Sequence, residues 1–180
     1  MRRPIRRDAR RRICDHARMP TIHLLCGLPG SGKSTLAAQL EREHGALRLS
    51  PDEWIQRLQG GDGRDEAFRD RVLALQFDLA MRTLALGADV VWDHGCWSRA
   101  ERDACRIAAE KTGAGYRLYW LDIPADELKR RLAARNADLP AGSFVVTAED
   151  IDAWSPVFER PGMDEPGLVR GGAGRPAARF

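Results

Sequence analysis

Nine consecutive residues, Gly27-Leu28-Pro29-Gly30-Ser31-Gly32-Lys33-Ser34-Thr35, constrain this chain more than any other stretch. They fit the pattern G-x-x-x-x-G-K-[ST] at every position. The flanks fit as well. Thr21 to Cys26 is a short apolar run that reads as a buried strand. From Ser34 to about Glu43, Leu36, Ala37 and Leu40 recur at helical spacing. A strand, a glycine turn and a helix in that order aim backbone N–H groups and the positive end of a helix at one point. That point is a site for a phosphate group.

The polar residues of the stretch then divide the work. Lys33 supplies a mobile positive charge for β- and γ-phosphates, the Ser34 hydroxyl is a ligand for Mg²⁺, and Thr35 supports an α-phosphate. Lysine occurs elsewhere only at Lys111 and Lys129 in a chain otherwise built on arginine. A lysine therefore stands where this chemistry asks for one.

Downstream, strand and helix patterns alternate. Ala46 to Ser50 reads as a second strand, and Ser50-Pro51-Asp52-Glu53 as a capping box opening a helix. Gly60-Gly61-Asp62-Gly63 breaks the chain before a long amphipathic helix from Arg64 to Leu86, ended by Gly87. Ala88 to Asp93 is a third strand. Ser98-Arg99-Ala100-Glu101 is a second capping box, for a helix to about Lys111. Tyr116 to Asp122 is a fourth strand, followed by a helix that starts at Pro124. Thr147 caps a last helix to about Phe158, and Gly167-Leu168-Val169 is a weak fifth strand. This alternation predicts an α/β fold with a parallel sheet of four or five strands and helices on both faces.

In such sheets ligands bind beyond the carboxyl ends of the strands. Asp93 closes the third strand and is the candidate partner of Ser34 for the metal. Asp52 follows the second strand and is a candidate general base for an attacking hydroxyl. The alternative is that it only complements the helix start. Arg130, Arg131 and Arg135 precede a loop with Asp138, Pro140 and Gly142. Arg131 and Arg135, four apart, share a helix face and are candidates to close over a transferring phosphate; the alternative is a solvated basic face. His94 reads as structural, and Trp97 as either a pocket wall or a staple for the Ser98 cap.

Charge is unevenly placed. Residues 1–18 hold eight arginines against two aspartates, a net +6, which leaves −3 for the rest of a chain whose total is +3. The expected organisation is a basic, disordered arm over 1–18, one folded domain over 19–160 and a flexible tail rich in Gly, Pro and Arg over 161–180. The arm carries no aromatic residue to stack on nucleic-acid bases. The four cysteines show no metal-binding spacing and suit a reducing cytoplasm. No apolar run is long enough to cross a membrane.

From about Met19 to Glu165 the chain resembles small phosphate-loop kinases, the group that includes polynucleotide 5′-hydroxyl kinase, chloramphenicol phosphotransferase and zeta-toxin-like kinases. The resemblance lies in the glycine loop, in Leu49-Ser50-Pro51-Asp52-Glu53-Trp54, in Asp93 through Arg102, in Leu121-Asp122-Ile123-Pro124 and in Arg135-Asn136. It implies a three-layer P-loop fold of the nucleotide-kinase type, with ATP as co-substrate bound by residues 27–35. It also implies Mg²⁺ as cofactor, Asp52 as base, and arginines at the lid helix contacting ATP. The polynucleotide kinases carry further basic residues after the Arg-Asn pair and an arginine soon after the base. Here Asn136 to Val146 has none, and Ile55 and Gln56 follow the base segment. A small hydroxyl compound is therefore the expected acceptor. A polynucleotide 5′-end, or no acceptor at all in an ATP-hydrolysing switch, is the alternative.

Overall fold

A computed structural model of the chain describes residues 18–59 and 65–172. The arm up to residue 17, the Gly60–Gly63 break and the last eight residues lie outside the described part. The elements run β1 (Thr21–Cys26), α1 (Lys33–His44), β2 (Leu47–Leu49), α2 (Pro51–Leu58), α3 (Glu66–Ala85), β3 (Val90–Gly95), α4 (Arg99–Lys111), β4 (Gly115–Asp122), α5 (Ala125–Ala137), α6 (Ala148–Trp154) and β5 (Leu168–Gly172).

The five strands form one parallel sheet in the order β2-β3-β1-β4-β5. β1 is central and, but for the buried His23, apolar on both faces, as suits a strand covered by helices. Its Ile22, Leu24 and Cys26 are fully buried on one face, packed with Trp92, Leu118 and Trp120 under α3 and α4. Leu25 points the other way and packs with Ala37, Leu40, Val91 and Tyr119 under α1. Each such aliphatic side chain contributes about 1.5–3 kcal/mol by leaving water. α5 packs on the glycine loop itself: Leu28, Ile123 and Leu128 form one small cluster.

The capping box predicted at Ser98 forms, and the Thr147 cap proves to be a second box. The Ser98 hydroxyl accepts from the Glu101 N–H while the Glu101 carboxylate accepts from the Ser98 N–H, and Thr147 and Asp150 do the same at α6. The box at Ser50 does not form. Ser50 is the N-cap of α2 but makes no side-chain cap bond. Its partner Glu53 is held instead by Arg48, 2.7 Å away at the end of β2. An arginine on the adjoining strand outcompetes the reciprocal half of a box that local sequence alone would favour.

The end of the folded body also differs from expectation. Residues 161–172 are part of it rather than of a flexible tail, and the weak fifth strand is an edge strand hydrogen-bonded to β4 from Leu118 to Asp122. The physical cause is an ion pair inside the body. Arg102 of α4 donates from Nε and Nη2 to the two carboxylate oxygens of Glu165 at 2.7 and 2.8 Å, with both side chains nearly inaccessible. Its Nη1 donates to the carbonyls of Cys96, Trp97 and Glu159. One buried guanidinium thus ties the turn after β3 to the segment that leads into β5.

Candidate active site

The glycine loop joins β1 to α1 at the carboxyl edge of the sheet. Its backbone takes conformations closed to most side chains: φ is +147° at Gly27 and +82° at Gly30. Space forbids a side chain there too. A Cβ on Gly27 would stand 2.9 Å from Ser31 Oγ, and one on Gly30 would stand 3.0 Å from Leu132 of α5. Lys33 folds back over the loop and donates to the carbonyls of Gly27 and Leu28 at 2.9 and 3.0 Å. Burial pulls its pKa below the ordinary lysine value, with Asp93 and Asp52 the chief charges opposing the fall. Ser31 Oγ is buried among these atoms without a hydrogen-bond partner. An unpaired buried hydroxyl beside a lysine that can turn outward is what a phosphate-accepting loop offers.

Asp93 lies within β3, which runs two residues further than expected, and its carboxylate is buried. Burial raises its pKa above the ordinary aspartate value, while Lys33 and a hydrogen bond from the Ser34 side chain counter the rise. Ser34 and Asp93 therefore lie near one another. A hydroxyl and a carboxylate together are hard oxygen donors of the kind Mg²⁺ takes, so the residues present fit that ion.

Asp52, in the first turn of α2, is half exposed. It lies close enough to bias the charges of Lys33, Asp93 and Arg135. Its carboxylate is held by Arg69 of α3 at 3.0 Å. Arg69 was not legible as a site residue, because nothing in the sequence distinguishes it from the other arginines of that helix.

The two lid arginines separate. Arg131 is tied back to Glu127, one turn earlier, at 2.6 Å, and Arg130 binds the same carboxylate. Arg135 donates from Nη2 to the Phe144 carbonyl, and its buried Nε has no partner. Burial lowers its pKa, and Asp52 opposes the fall. Arg135 therefore faces the cleft, while Arg131 faces its own helix. The loop after α5 reaches back to α2: a Cβ on Gly142 would stand 3.0 Å from Glu53.

The turn after β3 completes the wall. Gly95 and Cys96 have φ of +99° and +33°, and the Gly95 carbonyl accepts from the Gly27 N–H. A Cβ on Gly95 would lie 3.6 Å from Lys33 Cε. His94 stacks on Trp92 and faces Glu101 at 3.9 Å. Trp97 packs against Trp154 beside Leu28. Sequence reading singled out neither Gly95 nor Arg102 for the site. A glycine two residues past a strand-borne acid was the available signal for the first.

Among the described residues no helix is long and apolar enough to cross a membrane. No curated protein matches the chain. Several solved structures share its fold. A gluconokinase from Sinorhizobium meliloti is 23% identical with a TM-score of 0.64, over 89% of this chain and 87% of that one. The Mycobacterium tuberculosis APS kinase CysC, solved with AMPPNP and APS, is 22% identical with a TM-score of 0.60, over 88% and 91%. A chain of the Pnkp1/Rnl/Hen1 RNA repair complex is 22% identical with a TM-score of 0.66, over 77% of this chain and 44% of that one. The family model described as AAA domain matches residues 22–161. That match spans most of the chain, which shares its α/β fold with these structures, and the chain belongs to the AAA_33 family.

Proposed function

We propose that this protein is an ATP- and Mg²⁺-dependent phosphotransferase that moves the γ-phosphoryl group to a hydroxyl of a small molecule. The observation that carries the proposal is the convergence of Asp52 and Asp93 on Lys33, where both acids oppose the fall in the lysine pKa that burial causes. A nucleotide-hydrolysing switch needs a group that orients water. It does not need a carboxylate held by an arginine opposite the phosphate lysine.

The roles divide as follows. Backbone N–H groups of residues 27–35 and the Lys33 ammonium cradle the phosphates. Ser34 and Asp93 would hold Mg²⁺, which would supply charge neutralisation on the phosphate oxygens. Asp52 accepts the proton of the acceptor hydroxyl as its oxygen bonds to phosphorus and the bond to the ADP oxygen breaks. Arg69 orients the Asp52 carboxylate. Arg135 reaches the transferring phosphate, and Arg131 supports it by turning away from Glu127 when the lid closes. A small acceptor suits the absence of any basic residue between Asn136 and Val146, since a polynucleotide backbone calls for cations along its path. The buried free thiols of Cys26, Cys96 and Cys105 suit a reducing cytoplasm.

Asp52→Asn keeps the size and removes the base. We expect transfer to fall about 10²-fold while ATP affinity stays within about 2-fold of wild type. If Asp52 served only the start of α2, the substitution would cost about 0.3–1 kcal/mol of stability and leave transfer intact. Single-turnover transfer measured beside ATP binding separates the two.

A further inference from the structure

At the amino edge of the sheet, opposite the glycine loop, three ligand-type side chains converge. They are His23 in β1, His44 at the end of α1, and Asp89 just before β3, and their ligand atoms all lie within 4.8 Å of one another. His23 is 1% exposed. Its Nδ1 is 3.0 Å from the Tyr119 hydroxyl. Its Nε2 has no hydrogen-bond partner and stands 3.8 Å from Asp89 Oδ2, beyond hydrogen-bond reach. With the proton on Nδ1 and donated to Tyr119, Nε2 presents a buried lone pair to a carboxylate oxygen. Two such groups face each other favourably only with a cation between them.

A cation already occupies part of this space. One nitrogen of Arg18, Nη2, lies 2.7 Å from His44 Nδ1 and 2.9 Å from Asp89 Oδ2. Arg18 is otherwise largely exposed, at the very start of the described chain. We infer that His23, His44 and Asp89 form a binding site for a divalent transition-metal ion of the zinc type, with Arg18 as the competing cation at its mouth.

The donor set selects the ion. Two imidazole nitrogens and one carboxylate suit zinc and its neighbours, whereas Mg²⁺ prefers oxygen alone. The contact between His23 Nδ1 and the Tyr119 hydroxyl is the outer contact that metal-binding histidines usually make, and a metal at Nε2 puts the proton on Nδ1, from where it is donated to Tyr119. Ligation requires a neutral histidine and an ionised acid. Donors around a tetrahedral zinc stand about 3.4 Å apart, given bonds of about 2.0–2.2 Å. The His23 and His44 rings are stacked, 4.4 Å between centroids and 22° between planes. His44, only half-buried, must swing edge-on as Arg18 withdraws, which closes the set around the ion.

The test is calorimetric titration of the chelator-treated full chain with Zn²⁺, without nucleotide. Wild type is expected to take up one equivalent of Zn²⁺ stoichiometrically at tens of micromolar protein. His44→Ala, expected to melt as wild type does in the absence of metal, weakens that uptake about 100-fold. Arg18→Ala removes the competitor and tightens it about 10-fold, an opposite change that loss of folding cannot imitate. No stoichiometric uptake by wild type overturns the inference. So does uptake unchanged in His44→Ala, which assigns the zinc to other ligands, or uptake weakened in Arg18→Ala.

Discussion

Lys33→Ala is expected to lower phosphoryl transfer about 10³-fold while the protein stays folded. The size of the effect follows from where charge develops. During transfer the negative charge spreads over the oxygens of the moving phosphoryl group, and a fixed cation in a partly buried site is worth several kcal/mol there. Lys33 meets that description. Burial has already weakened its hold on its proton, which Asp93 and Asp52 help it keep. In the described state it rests on the carbonyls of Gly27 and Leu28, within the loop it serves. The fold does not depend on it. Alanine is the most favourable residue within a helix. Far-ultraviolet circular dichroism and the melting temperature check the second half of this expectation, and the transfer rate checks the first. A variant that turns over at the wild-type rate would remove the glycine loop from the chemistry.

The second large effect concerns stability. Arg102→Leu is expected to cost about 3–5 kcal/mol, because it strands the Glu165 carboxylate in the interior with its main partner gone. For a chain of this size that is a fall in melting temperature of about 6–20 °C. The effect should reach the site as well, since Arg102 also holds the Cys96 and Trp97 carbonyls in the turn that walls Lys33. Arg102→Leu combined with Glu165→Leu removes both charges, and apolar replacement of a whole buried pair is often close to neutral. The double variant should therefore melt well above the single. A single variant within about 1 kcal/mol of wild type would mean that the 159–165 segment is not docked in solution. The same pairing predicts where the body can be trimmed: a chain ending at residue 160 loses Glu165 and all of β5, whereas one ending at 172 keeps both.

The comparison between sequence and structure has a physical pattern. What lay close along the chain could be read. The glycine loop, the strand before it, the helix after it and the Ser98 and Thr147 caps are all settled within a few residues, and all formed. The strand-end rule also placed Asp52 and Asp93 near one another without knowledge of contacts, because a parallel sheet collects the ends of its strands at one edge. What depended on distant partners could not be read. The Arg102–Glu165 pair spans 63 residues, and without it the sequence after Arg160 looks like a polar tail. The reciprocal half of the Ser50 box is lost because Glu53 pairs with Arg48 instead. Arg131 and Arg135 share a helix face, and only the position of Glu127 one turn before Arg131 separates their roles. Arg69 gains its meaning solely from its bond to Asp52 across two helices.

The central claim is that this cleft transfers phosphate to a small hydroxyl compound. The direct measurement is the fate of γ-labelled ATP incubated with the full chain and Mg²⁺. The acceptors would be sugars and sugar acids, polyols, nucleosides, hydroxylated antibiotics and 5′-hydroxyl oligonucleotides. The account predicts label on at least one small hydroxyl compound, in a form stable to acid and lost with Asp52→Asn. Label that appears only as inorganic phosphate, at a rate indifferent to Asp52, would contradict it in favour of a switch. Label confined to oligonucleotide 5′-ends would contradict the small acceptor.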